Sequence, residues 1–289
     1  MLDSIQPVAI VAHSEEQRYF KQARDAISLA GAKLQAFGAV FSQTLTTRDR
    51  LIDVLLEAGV GTAFVPSLEA LEAIEPPDRL ASVHSALAET YRTLVRNDKE
   101  AEQAVRDGDL AGFVLANGRL GEANSSLPLA LPAEACHSLF GTRPGGLCAP
   151  IEPLPGGEYG SELHEVLRMS QPQFTGVAGA LGFPVSLSDE ETAAVIEEVA
   201  PKAGPVLGEL RRQVDALTPP PELSADHDRL IGYFDRLLEI FEEVTAAAKA
   251  GDISDAPGAI ARILTTVRET LRSFESRDFS ILVAVHFGG

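Results

Sequence analysis

The sequence predicts an all-α protein that is a tandem duplication of one four-helix-bundle-like unit, with the two copies offset by 143 residues. Helix-forming Ala, Leu and Glu are abundant, and long runs of β-branched residues are rare. One shift of 143 aligns sequence landmarks without a gap, and twice that shift accounts for nearly all of the 289 residues. Short predicted loops between the helices are typical of an up-down bundle.

The repeat is clearest over positions 76–109, where ten of 34 residues are identical in the second copy. The identical pairs are Pro76 and Pro219, Pro77 and Pro220, Leu80 and Leu223, His84 and His227, Leu87 and Leu230, Leu94 and Leu237, Glu100 and Glu243, Ala104 and Ala247, Gly108 and Gly251, and Asp109 and Asp252. Since all ten share one register, we interpret them as a duplication.

Two helices are predicted ahead of this segment in the first copy. Residues 14–17, Ser-Glu-Glu-Gln, have the pattern of a capping box, so a helix is expected from Ser14 to about Phe41. A second helix is expected over 47–74, with a possible interruption near the glycines of 59–61.

The paired prolines predict the start of a third helix, because a proline in the first helical turn has no hydrogen bond to lose. Apolar residues then recur at spacings of three and four, which predicts a helix with one buried face. In the second copy these residues are Leu223, His227, Leu230, Phe234, Leu237, Phe241 and Val244. The Gly-Asp pairs 108–109 and 251–252 each predict a helix end followed by the cap of a fourth helix.

The other helices of the second copy are predicted from similar signals. One is expected from Ser161 to about Leu181, and a capping box at 188–191 opens another that extends to about Leu217. Pro201, Gly204 and Pro205 are expected to kink or break that second helix. The apolar segment 279–287 is interpreted as a strand or a packed apolar tail, and the tail is favoured because a lone strand needs a partner.

These elements divide the chain into a first bundle at 1–140, a Pro/Gly-rich linker at 141–160 and a second bundle at 161–289. Cys136 and Cys148 lie near the boundary. Two unrelated thiols are the favoured interpretation, and the alternative is a disulfide, which would imply an oxidising compartment.

The net charge of −18 excludes some classes of partner. No cluster of Lys and Arg interrupts either copy, so binding to nucleic acid or to an anionic membrane surface is not expected. No run of 18 apolar residues is present, so no transmembrane segment is expected. The first residues lack the basic and apolar regions of a signal peptide.

His84 and His227 are the candidate metal ligands, because both lie in the apolar stripe at the same position of the repeat. Neither has a Glu three residues before it, as a di-iron bundle requires, and a role in packing is favoured. Nucleotide-binding loops and nucleophile motifs are absent, so no cofactor and no catalytic residue are predicted.

The Pro-Pro-x-x-Leu-x-x-x-His pattern followed by Gly-Asp resembles a group of uncharacterised bacterial helical-bundle proteins. It is carried here by Pro76, Pro77, Leu80, His84 and 108–109, with their counterparts in the second copy. Many members of that group are predicted to be exported or lipid-anchored. The resemblance implies a location in the cell envelope rather than the cytoplasm, and it carries no catalytic residues.

Three functions follow from the sequence. The leading one is a non-catalytic binding or scaffold module of the bacterial cell envelope, with another protein as its expected partner. The alternative is a bundle that sequesters a metal or small ligand through His84 and His227. The third is an enzyme with its site between the two copies, which would require a polar pocket with converging titratable groups. The oligomeric state is left open.

Overall fold

The computed structural model describes residues 6–40, 48–141, 148–149, 154, 156–181, 187–250 and 256–284. Over these residues the chain is all-α, as predicted, with eleven α-helices and three short 3-10 segments. The α-helices are α1 Gln6–Val40, α2 Arg48–Glu57, α3 Val65–Glu72, α4 Ala81–Arg106, α5 Leu110–Ser126, α6 Ala133–Phe140, α7 Gly157–Leu181, α8 Asp189–Asp215, α9 Ser224–Lys249, α10 Ala256–Ser273 and α11 Arg277–Ala284. The 3-10 segments are Asp78–Leu80, Leu127–Ala130 and Pro221–Leu223. No described helix is long and apolar enough to cross a membrane.

The helices pack mostly on their neighbours along the chain. Helix α3 packs on α1 and α4, α5 packs on α4 and α7, and α8 lies between α7 and α9. The short helix α6 packs on α1, and α11 packs on α7 and α10. The first predicted copy therefore comprises α1 to α6 and the second comprises α7 to α11.

Several elements of the two copies correspond under the offset of 143. Helix α4 and its preceding 3-10 turn span 78–106, and α9 and its turn span 221–249. An ion pair of 2.9 Å between Arg119 and Glu100 joins α5 to α4. The equivalent residues Arg262 and Glu243 pair at 3.0 Å and join α10 to α9. These matches support the duplication, which stays a prediction.

The predicted stripe on α9 faces the core. His227, Leu230, Phe234, Leu237 and Phe241 are all buried, and all but the histidine belong to one hydrophobic cluster with side chains of α7, α8 and α11. The turn after α4 also has the predicted conformation. Gly108 has a φ of +71°, and the Asp109 side chain accepts a hydrogen bond of 2.8 Å from the amide of Gly112. The corresponding 251–252 lies outside the described residues.

The structure differs from the local predictions at three places. Ser14 does not cap a helix, because α1 begins at Gln6 and continues through it. Helix α8 does not break at its prolines, because it continues through Pro201 and Pro205, and the capping box at Ser188 is present as predicted. Segment 277–284 packs on the core, as the favoured interpretation of a packed apolar tail predicted, but it forms the helix α11, which was not predicted. Phe279 and Val283 of this helix are buried in the core, which provides the tertiary contacts that a short helix needs.

Each copy has more helices than the four predicted. The interruption expected near 59–61 separates α2 from α3, and Gly59 and Gly61 both have positive φ there. Helix α6 was not predicted, because eight residues are too few for a clear apolar period. Helix α7 begins at Gly157, four residues before the predicted start and inside the predicted linker.

The two predicted copies share a core. One hydrophobic cluster combines residues of α2, α4 and α5 with Ala180, Val195 and Val199 from the second copy. Helices α5 and α7 cross closely at glycines: the Cβ of any side chain at Gly118 would lie 2.7 Å from the carbonyl oxygen of Gly176. Glycine therefore permits this backbone approach.

Polar contacts also join the copies. Arg48, the first residue of α2, pairs with Glu191 in the first turn of α8 at 2.7 Å. The Arg48 guanidinium also donates to the carbonyl of Gly108, at the turn between α4 and α5. Hydrogen bonds to Arg48 and to Ser188 hold the pKa of Glu191 below its ordinary value, although partial burial opposes this.

Candidate functional site

Each candidate histidine lies beside a tyrosine from the first long helix of its own copy. The hydroxyl of Tyr159 is 2.9 Å from Nδ1 of His227, and both residues are buried. The hydroxyl of Tyr19 is 3.5 Å from Nδ1 of His84, which is half-buried. A tyrosine O–H that donates to Nδ1 leaves the proton of a neutral ring on Nε2. Each histidine therefore has a packing role, as the partner of a tyrosine in the same copy.

The surroundings of both histidines favour the neutral ring. Burial lowers the pKa of His227, and the carboxylates of Asp228 and Asp215 only partly oppose this. Burial also lowers the pKa of His84, and the nearby guanidinium of Arg92 acts in the same direction. Among the described residues, no three His, Cys, Asp or Glu side chains come together as a metal site would require. No observation therefore favours His84 and His227 as metal ligands.

The two cysteines lie at the end of the first copy and are joined in the structure. Cys136 of α6 and Cys148 form a disulfide with a Cα–Cα distance of 5.6 Å. His137 lies next to it, and its ring nitrogens are 3.2 Å from the carbonyl of Gly141 and 2.8 Å from that of Ala149. The disulfide and this ring thus tie Cys148 and Ala149 back to α6.

A cleft of about 240 Å³ lies between the copies, among α5, α7 and α8, where the third sequence hypothesis placed an active site. Three of the four charged side chains that line it form ion pairs, and Glu122 is the fourth. Lys202 pairs with Glu198, and Arg119 pairs with Glu100 outside the cleft. The pKa of Glu198 is lowered by Lys202, which suits a surface ion pair rather than a general acid or base near neutral pH. The ion pairs of the cleft therefore give no support to the enzyme hypothesis, which stays a prediction.

A second cavity, of about 270 Å³, lies within the first copy and is the candidate binding site. It is lined by α1, the loop between α2 and α3, α4 and α5, and it opens to the surface. Its apolar wall includes Val60, Phe64 and Leu120, and its polar side chains are Lys33, Asp98, Asn117 and Asn124. An apolar pocket with a few polar groups is the usual form of a small-molecule site, and the volume of this one lies just below the usual range of about 300 to 1,000 Å³.

Asp98 is the most buried of these polar residues, with 4% of its surface exposed. Its Oδ1 accepts a hydrogen bond of 2.9 Å from the amide of Gly61, and its Oδ2 accepts one of 2.8 Å from the amide of Ala63. Burial raises the pKa of Asp98, and these two hydrogen bonds partly oppose the rise. The carboxylate therefore fixes the α2–α3 loop, which forms part of the cavity wall.

The second copy lacks the polar lining. Under the offset of 143, Asp98 corresponds to Phe241, Asn117 to Ile260 and Asn124 to Val267. Phe241 is buried in the core of the second copy, and Val267 packs against the same cluster. The α2–α3 loop has no counterpart either, because α8 is continuous over 189–215. A polar cavity in one copy therefore corresponds to apolar positions in the other.

Comparison with protein-family models, with curated proteins and with solved structures finds no match to this chain. The class of protein is therefore defined by the fold and the cavity alone: an all-α protein with a polar-lined cavity between the helices of its first copy.

The sequence did not identify this cavity. Asp98 and Asn117 are isolated polar residues in helices and belong to no motif. An alignment of the two copies could have found them. Three polar residues of the first copy align with apolar residues of the second.

Proposed function

We propose that this protein is a non-catalytic binding module of the bacterial cell envelope, and that it holds a small organic ligand in the cavity of its first copy. The observation that carries the proposal is the polar lining of that cavity, which the equivalent positions of the second copy lack. Buried polar groups cost stability unless they are hydrogen-bonded. Asp98 is buried and Asn117 is partly buried, whereas the equivalent positions of the second copy hold apolar residues, and this difference is expected if the polar groups serve a ligand.

The location rests on two supports. The sequence resembles bacterial helical-bundle proteins of which many are predicted to be exported. The disulfide between Cys136 and Cys148 suits the same compartment, because disulfides persist in oxidising surroundings such as the periplasm. A binding role without catalysis agrees with the ion pair between Lys202 and Glu198 in the cleft between the copies.

Native mass spectrometry on protein purified without denaturants or chelators tests the proposal. We expect the native protein to carry an extra small-molecule mass that is lost on unfolding. Leu120→Trp should remove this mass, because the larger side chain fills the cavity from α5. The matched control is Leu115→Trp, which fills the cleft between the copies and should leave the mass in place.

Two results would contradict the proposal. A wild-type chain at its bare sequence mass would favour a scaffold that binds a protein partner instead. Loss of the extra mass in Leu115→Trp but not in Leu120→Trp would place the ligand in the cleft.

A further inference from the structure

The cavity of the first copy carries one negative and one positive side chain. Asp98 lies on α4, and both of its oxygens accept a loop amide. A carboxylate offers about four lone-pair positions, and the amides of Gly61, Ala63 and Phe64 bond to this one, so one position remains for a hydrogen bond from a ligand. The buried end of this cavity therefore suits a ligand group that donates hydrogen bonds and carries positive charge.

Lys33 of α1 supplies the positive charge. Its Nζ donates to the carbonyl oxygen of Thr62 at 3.0 Å and to the hydroxyl oxygen of the same residue at 2.9 Å. An ammonium group has three N–H donors, so one remains for another acceptor. Because Thr62 holds the ammonium in place, a ligand that binds it loses little additional side-chain freedom.

The remaining lining is neutral. The Asn117 side-chain amide donates to the carbonyl of Phe113, which leaves its oxygen as an acceptor. Phe64 and Leu120 provide apolar surface. A simple amine would match Asp98 and leave Lys33 without a ligand partner, whereas a simple carboxylate would match Lys33 and meet the charge of Asp98. A ligand with both charges and an apolar body matches all three features.

We infer that the cavity binds a small zwitterion of the α-amino-acid type with an apolar side chain. The ammonium group binds Asp98, the carboxylate binds Lys33, and the side chain packs on Phe64 and Leu120. The inference rests on the proposed function, since it names the ligand class for the same cavity.

Calorimetric titration with L-leucine and three analogues tests the charge requirement. Isoamylamine lacks only the carboxylate, isocaproate lacks only the ammonium group, and isoamyl alcohol has neither charge. L-leucine should bind at least about tenfold more tightly than each analogue, since one charge-assisted hydrogen bond contributes about 1.5–3 kcal/mol and about 1.4 kcal/mol is tenfold in affinity.

Lys33→Met tests the role of the lysine directly. It keeps the length of the side chain and removes the charge, so L-leucine should lose its advantage over isoamylamine. Thr62→Val is the matched control, because it removes a hydrogen-bond partner of Lys33 but keeps the ammonium group. It should retain most of the preference for L-leucine.

The outcomes separate the inference from the proposed function. If isocaproate or isoamyl alcohol binds as tightly as L-leucine, and Leu120→Trp abolishes that binding, the zwitterion inference is wrong and the binding module stands. If none of the four compounds binds, the inference is again overturned, and the native mass then decides whether the cavity holds a different ligand. If none binds and the native mass is also that of the bare chain, both proposals fail.

Discussion

At the scale of single residues, the buried histidines should make the stability of this protein depend on pH. Burial lowers the pKa of His84, His164 and His227, so each ring stays neutral in the folded state to a lower pH than in the unfolded chain. As the pH falls through about 6.5, the ordinary value for histidine, the unfolded state takes up more protons. These rings therefore make their full contribution to the free energy of unfolding above that pH. The contribution is lost as the pH falls toward their pKa values in the folded state.

Urea unfolding at pH 7.5 and pH 5.5 measures this dependence. The wild type should be less stable at pH 5.5, and His227→Gln should show a smaller difference between the two pH values. His137→Gln is the control, because His137 lies in α6 and is less buried than His227. An unchanged pH dependence in His227→Gln would contradict the assignment of His227 as a buried neutral ring.

At the scale of elements, the loop between α2 and α3 depends on Asp98. The loop contains two glycines with positive φ, and the amides of Gly61 and Ala63 donate to the carboxylate. In Asp98→Asn one acceptor oxygen becomes an NH₂ group that would face a backbone N–H. We expect a loss of about 2–3 kcal/mol in the free energy of unfolding, because the variant breaks a charge-assisted hydrogen bond and leaves a buried donor without a partner.

Hydrogen exchange shows where that loss occurs. The amides of Gly61 and Ala63 should exchange faster in Asp98→Asn, while those of α9 should change only as the global stability does. Asp107→Asn is the control, since Asp107 is exposed at the end of α4. Equal protection of the loop amides in Asp98→Asn and the wild type would show that the carboxylate does not hold the loop.

At the scale of the whole molecule, the glycine crossing of α5 and α7 holds the two copies together. The Cβ of Gly118→Ala would lie 2.7 Å from the carbonyl oxygen of Gly176 and 3.1 Å from the Cβ of Ala180. Both distances require the helices to separate, and such overpacking typically costs about 1–3 kcal/mol. Thermal melts should therefore show a lower midpoint for this variant.

Gly208→Ala is the matched control for that crossing. Gly208 lies within α8, and a Cβ added there would meet no atom within 4 Å. Replacing this glycine should stabilise the helix by about 0.5–1 kcal/mol, because alanine loses less backbone entropy. A Gly118→Ala variant as stable as Gly208→Ala would mean that the copies do not depend on close packing at this crossing.

The sequence by itself determined the local structure of this protein. The stripe of α9 and the turn at 108–109 follow from apolar spacing and from the special backbone freedom of glycine, which depend on neighbours within a few residues. The capping box at Ser188 is equally local. The sequence failed where distant contacts decided the outcome: α8 continues past Pro201, and 277–284 is helical because Phe279 and Val283 are buried against other helices.

Only the tertiary structure decided the candidate site. Lys33, the α2–α3 loop, Asp98 and Asn117 come from four separate parts of the first copy, and no spacing along the chain relates them. It also decided how the copies meet, since nothing local distinguishes the glycines of α5 and α7 from other helical glycines. The physical reason is the same in both cases: cavities and helix crossings are formed by side chains and backbones that are distant in sequence, whereas caps, turns and amphipathic faces are formed within one or two helical turns.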